Sequence, residues 1–121
     1  NSLTRKNYSM PPTHGPGIVD VILHDDELSA QWREEVTGMR NRINGLRKLL
    51  VDKIEAAGIE KDFSFLQRQS GMFSFLGLSV DQVRRLREEF SIYTVDSARV
   101  NIASFNEGNI DYFVDALKTV L

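Results

Sequence analysis

The sequence predicts an α+β fold: a long helix and two or more further helices packed on a small, largely antiparallel sheet. Three observations lead there. Residues 26–57 carry apolar side chains at helical period, short alternating or β-branched stretches follow, and two further helical faces near 80–90 and 107–121 interleave with those stretches. Helices gathered on one face of a small sheet bury both kinds of apolar surface. The 121 residues hold 41% hydrophobic and 26% charged side chains, an ordinary globular mixture that excludes collagen-like and disordered chains. A chain of this size buries only about 65% of its unfolded surface, so one domain, with an N-terminal arm, is the expected count.

Residues 1–17 contain all three prolines, in Tyr8-Ser9-Met10-Pro11-Pro12-Thr13-His14-Gly15-Pro16-Gly17, and read as an irregular arm. Ile18–Leu23 is a short apolar block, helix or strand, which periodicity cannot separate at that length. Next comes the clearest element: Leu28, Trp32, Val36, Met39, Ile43, Leu46, Leu50 and Ile54 recur in steps of three and four. Asp25, Asp26 and Glu27 stand at its start, where the helix dipole favours them, and Ala57-Gly58 at its stop. At 1.5 Å per residue the stripe runs about 40 Å, too long for a globule this small to cover, so a partner surface is expected. Phe63 and Phe65 alternate with polar neighbours, Gln67–Gly71 turns the chain, and Met72–Phe75 follows, which reads as a hairpin or two short strands. Ser79-Val80-Asp81-Gln82 is a capping box, opening a helix with Val83, Leu86 and Phe90 on its apolar side. Ser91–Val95 and Val100–Ala103 read as strands, and Asn106 as the cap of a last helix with Ile110, Phe113, Val114, Leu117 and Leu121 on one face.

Several functions are excluded or disfavoured. There is no cysteine, hence no disulfide, thiol nucleophile or cysteine metal site; this suits a cytoplasmic location. No apolar run is long enough to span a membrane, and the start at Asn1 has no signal segment and reads as an internal cut. A net charge of −2 argues against nucleic acid as a partner. His14 and His24 read as solvated loop residues with no converging metal ligands. Gly71 and Gly77 do not make a phosphate loop. Arg33, Arg40 and Arg47 recur every seven residues beside the apolar stripe and read as a solvated or partner-facing helix edge.

Two arginines are candidates for binding. In Ala98-Arg99-Val100-Asn101-Ile102-Ala103 the side chains alternate, so Arg99 and Asn101 share the face opposite Val100 and Ile102. An arginine there is either a surface charge or a carboxylate clamp, because guanidinium is always charged and its planar fork matches a carboxylate. Arg5, beside the proline-rich arm, poses the same alternative.

Taken together, the motifs resemble the C-terminal part of the aspartate/aromatic amino-acid aminotransferases, fold type I enzymes that use pyridoxal phosphate. Arg5-Lys6-Asn7-Tyr8-Ser9-Met10-Pro11-Pro12-Thr13-His14-Gly15 is similar to that family's Arg-x-x-aromatic-Ser-Asn-Pro-Pro-x-x-Gly stretch. Trp32–Val36 through Met39–Ile43 resembles its long helix, and Gln69–Leu78 its Gly-Met-Phe-Ser segment. Glu89–Tyr93, Ala98–Ala103 and the last helix follow in family order and spacing. Met10 departs from a common Asn, Ala98 from a common Gly, and Asn106-Glu107-Gly108 varies at a cap.

The resemblance implies that Arg99 holds the substrate α-carboxylate. It implies that Arg5 reaches the neighbouring subunit's site and holds the distal carboxylate of dicarboxylic substrates. Ser9 would stand beside Arg5, and Phe73 near the closing small domain. It further implies a homodimeric parent acting on amino acids and 2-oxo acids such as 2-oxoglutarate. The lysine that bonds the cofactor would lie upstream of residue 1, since Lys6, Lys48, Lys53, Lys61 and Lys118 lack its Ser-x-x-Lys-like context. No catalytic or cofactor-binding residue is therefore expected within the chain, and no pyridoxal phosphate bound covalently to it. Residues 1–25 would end the large domain, 26–57 form the interdomain helix and 58–121 the small domain, whose last helix closes the family's chains. A non-enzymatic interaction module keeping the small-domain fold is the alternative.

Overall fold

The computed structural model describes residues 13–121. The order is α1 (His14–His24), α2 (Asp26–Ala56), α3 (Phe65–Arg68), β1 (Phe73–Phe75), α4 (Val80–Phe90), β2 (Arg99–Asn101), a 3₁₀ turn (Ile102–Ser104) and α5 (Ile110–Val120). Two compact units divide the chain, one ending at Gly38 and one running from Met39 to Leu121. The α+β expectation holds: the chain is helix-rich, with one two-stranded antiparallel sheet.

In the first unit, the apolar block Ile18–Leu23 is helical and the helix extends back to His14, into what the prolines and glycines suggested was irregular arm. Pro16 is tolerated because it falls in the first turn, where the missing N–H has no partner anyway. His14 and His24 thus lie on a helix, not in loops, and both are exposed. Asp25 caps α2, its Oδ1 accepting from the Leu28 N–H at 2.9 Å. Leu28, Trp32 and Val36 are exposed, at 39, 46 and 43%, the uncovered half of the stripe that its length anticipated.

The second unit is built on the rest of α2. Leu46, Leu50, Val51 and Ile54 are buried, each worth about 1.5–3 kcal/mol, and they join Leu66, Leu76, Val83, Val100, Ile102 and the α5 residues Ile110, Phe113, Val114 and Leu117 in one core. Met39 at the head of this unit is exposed and Ile43 half-buried. The helix stops at Gly58, whose φ of +71° suits glycine. The Gly58 N–H donates to Glu55 O and the Ile59 N–H to Ile54 O, closing a Schellman cap.

The predicted hairpin at 62–75 is only half present. Phe63 and Leu66 are both buried, a spacing of three that belongs to a helical turn, and α3 forms there; only Phe73–Phe75 is a strand. It pairs with β2 in the register Phe73–Asn101, Ser74–Val100, Phe75–Arg99. The capping box is present as read: Ser79 Oγ accepts from the Gln82 N–H and Gln82 Oε1 from the Ser79 N–H. Residues 91–95, expected as a strand, are irregular backbone, since Ser91 takes a left-handed φ of 54° that ends α4 and redirects the chain. The strand at 100–103 is shorter than expected and passes into the 3₁₀ turn at Ile102. Asn106 sits in a turn ahead of α5, its Oδ1 accepting from the Gly108 N–H, and Asn109 occupies the cap position instead. Val120, not Leu121, completes the α5 face, packing with Leu86 and Ala116.

Candidate functional site

β2 sets the site by alternation. Val100 points into the core while Arg99 and Asn101 take the outer face, as the sequence pattern requires. β1 alternates likewise: Ser74 is buried, and Phe73 and Phe75 are exposed. The outer face of this small sheet therefore holds Phe73, Phe75, Arg99 and Asn101. The Arg99 Cζ lies 4.8 Å from the centre of the Phe73 ring, a cation–π contact worth about 0.5–1 kcal/mol at an exposed site. Among the described residues Arg99 has no carboxylate partner. Its planar fork is directed by an aromatic face and not consumed by an ion pair, which suits it to a carboxylate from outside.

A cleft of about 310 Å³ adjoins this pair, lined among others by Phe73, Tyr93, Thr94, Val95, Arg99 and Asn101. Thr94 Oγ1 is buried without a hydrogen-bond partner. Asn101 is committed to its own backbone, its Oδ1 accepting from the Ala103 N–H. A larger concavity of about 620 Å³ runs along one side of α1, between Thr13 and Ile22. Among the described residues its lining is mostly apolar, with Thr13 and His14 as its polar side chains and no arginine or lysine, so it is not the better candidate.

Of the four sequence-derived site residues, the structure brings Arg99 and Phe73 together; Arg5 and Ser9 lie outside the described residues, as does Met10. Ala98 has a φ of +56° and is completely buried, so a residue with a Cβ occupies a left-handed position directly before Arg99. The sequence reading missed Tyr93, Thr94 and Val95 as cleft residues because it made them a strand. It also misplaced Arg47, which is buried, not on a solvated edge. The signal was present: Arg47 lies four residues after Ile43 and three before Leu50, on the apolar stripe itself. Burial lowers its pKa from the ordinary arginine value. Arg42 is held by the 3₁₀ segment, donating to Ala103 O and Phe105 O at 3.2 Å each.

The described residues do not fit pyridoxal phosphate by themselves. Among the described residues the cleft beside Arg99 has no lysine in its lining. Lys48 and Lys53 are paired with Asp52 and Asp111, and Lys61 and Lys118 donate to the carbonyls of Gly77 and Ala57. No group of three metal-ligating side chains converges among the described residues, and no described helix is long and apolar enough to cross a membrane.

Known proteins match the chain in sequence and in fold. The chain is 49% identical over 120 residues to an aspartate aminotransferase of Salmonella typhi, covering 99% of this chain and 30% of that protein. It is 43% identical over 118 residues to an aromatic-amino-acid aminotransferase of Pseudomonas aeruginosa, again covering 30% of the relative. Among solved structures, an aromatic-amino-acid aminotransferase from Burkholderia pseudomallei covalently bound to pyridoxal phosphate superposes with a TM-score of 0.91 at 50% identity, over 97% of this chain and 29% of that one. A mitochondrial aspartate aminotransferase from Trypanosoma brucei gives 0.90 at 37% identity, over 98% of this chain and 31% of that one. The chain thus spans about 30% of the length of these relatives. Sequence and fold agree over nearly all of it, and the aminotransferase class I and II profile matches residues 1–117, so the chain belongs to that family.

Proposed function

We propose that the chain is the C-terminal part of a pyridoxal-phosphate-dependent aminotransferase. The enzyme would move an amino group between aspartate or an aromatic amino acid and a 2-oxo acid such as 2-oxoglutarate. Within it, residues 1–25 end the large domain, 26–57 form the interdomain helix and 58–121 the small domain. The observation that carries the reading is Arg99: an arginine without an ionic partner among the described residues, held against an aromatic ring at the edge of a cleft. Its role is to bind the substrate α-carboxylate through two parallel hydrogen bonds. Phe73 orients it. Arg5, with Ser9 beside it, takes the second carboxylate of dicarboxylic substrates in the neighbouring subunit of a homodimer. The cofactor, when bound, supplies the electron sink for amino transfer, and residues outside this chain hold it.

The test is kinetic, on the protein encoded by the complete gene. Losing a buried, hydrogen-bonded charge pair costs about 2–5 kcal/mol. Arg99→Ala should therefore lower kcat/KM by roughly 10²-fold or more on both a dicarboxylic and an aromatic amino acid. Arg99→Lys should recover little, because an ammonium lacks the planar fork. Arg5→Ala should penalise the dicarboxylic substrate far more than the aromatic one. Uniform losses in both variants would refute the division of roles, and near-normal kcat/KM in Arg99→Ala would return Arg99 to a surface charge.

A further inference from the structure

We propose that Arg47 is a positioning residue for Arg99, acting through the backbone of β1 and the ring of Phe73; the consequence for substrate rests on the reading of Arg99 above. Arg47 extends from α2 and is 1% exposed. Its Nη1 donates to Leu66 O at 3.0 Å and to Ser74 Oγ, and its Nη2 to Gly71 O at 2.7 Å and Phe73 O at 3.2 Å. Nε is buried without a partner. All four acceptors are neutral and all lie between residues 66 and 74. Among the described residues no carboxylate pairs with this cation.

A buried charge met only by neutral dipoles is a poor device for stability, because an apolar side chain of the same volume avoids the desolvation. It is a good device for geometry. The guanidinium is planar and rigid, so its four contacts exist together only if three carbonyls and one hydroxyl converge on it. That convergence fixes the path from α3 through Gly71, whose φ of +83° makes the turn, into β1. Ser74 is held on the inner side of the strand, the Phe73 carbonyl accepts from Arg47, and the Phe73 ring projects on the outer side. There it lies 4.8 Å from Arg99. Arg47 thus sets from beneath the sheet where the ring stands above it, and the ring sets where the Arg99 fork points. No substrate contact by Arg47 is implied.

The test is a double-mutant cycle of Arg47→Lys and Phe73→Leu in the protein encoded by the complete gene, reading kcat and KM separately. A parallel readout on the 121-residue chain is the ring-current shift of the Arg99 guanidinium resonance in the presence of Arg47→Lys. Each single variant should raise KM for amino-acid substrates about 10-fold with kcat changed less, and the double variant should be no worse than about 10–30-fold, because both act along one path. The Arg99 resonance should lose its ring-current shift in Arg47→Lys although Phe73 is retained. Independent losses that multiply to about 100-fold, or an unchanged Arg99 resonance, would overturn the inference. If Arg47→Lys fails to fold, Ser74→Ala, which removes one acceptor only, takes its place in the same cycle under the same criteria. If the unsubstituted protein does not transaminate but the Arg99 resonance still moves, the functional reading fails and the positioning role stands.

Discussion

Ala98 carries a small conflict between sequence and backbone directly before Arg99. Its φ of +56° places a Cβ where glycine is at ease, at a cost of about 1–2 kcal/mol. Its methyl is fully buried, which returns about 0.8 kcal/mol. The two nearly cancel, so Ala98→Gly should shift unfolding free energy by less than about 1 kcal/mol in a denaturant titration, unusually little for a buried position. Ala98→Val should destabilise by about 2 kcal/mol or more, since a β-branched residue is least tolerated at positive φ and the site is already packed. A large loss in Ala98→Gly would show that methyl packing outweighs the backbone strain. Arg99 itself was legible in the sequence as a choice between surface charge and clamp. What the sequence could not supply was the contact between Arg99 and the Phe73 ring, because the two meet only through strand pairing.

Among the elements, helices were read more successfully than strands, for a physical reason. α2, α4 and α5 each present an apolar face over several turns, and the capping box at Ser79 marks a start that the structure reproduces. Ser79→Ala should cost about 1 kcal/mol in thermal or denaturant unfolding, with the loss confined to stability. The short elements carry too few residues to show a period. Phe63 and Phe65 alternate as a strand would, but the burial partner of Phe63 is Leu66, and the segment turns. The α1 block is helical where its sequence left helix and strand open. Local charge adds a pH dependence to these elements. The Ser64 backbone N–H, then its hydroxyl, holds the Asp62 carboxyl below the usual range, and the bond from the Arg85 guanidinium does the same for Glu89. A carboxyl depressed in the folded state stabilises it above the unfolded value, about 4, and that contribution fades as pH falls through the folded value. Asp62→Asn and Glu89→Gln should each flatten the acid limb of the stability profile below about pH 4; an unchanged limb would mean those bonds do not persist in solution.

At the scale of the whole molecule, the chain leaves apolar surface without cover. Trp32, Val36 and Met39 on α2, and Ile18, Val19 and Val21 on α1, are each 43–60% exposed. In water such surface tends to be removed by association. The purified chain should sediment above its 13.8 kDa monomer mass, or Trp32 fluorescence should be quenched freely by a small solute. A strict monomer with an inaccessible Trp32 would contradict this. Under the proposed function the chemistry is divided in the same incomplete way: Arg99 of this chain would grip substrate, while its described lysines are engaged at the surface and away from the cleft. The most direct measurement is to mix the 121-residue chain with pyridoxal phosphate, reduce with borohydride, and map the products by mass spectrometry. The division of labour predicts no transaminase activity and no stoichiometric adduct at any single lysine. Transaminase activity of the chain assayed before the reduction, together with one lysine labelled to completion after it, would contradict it.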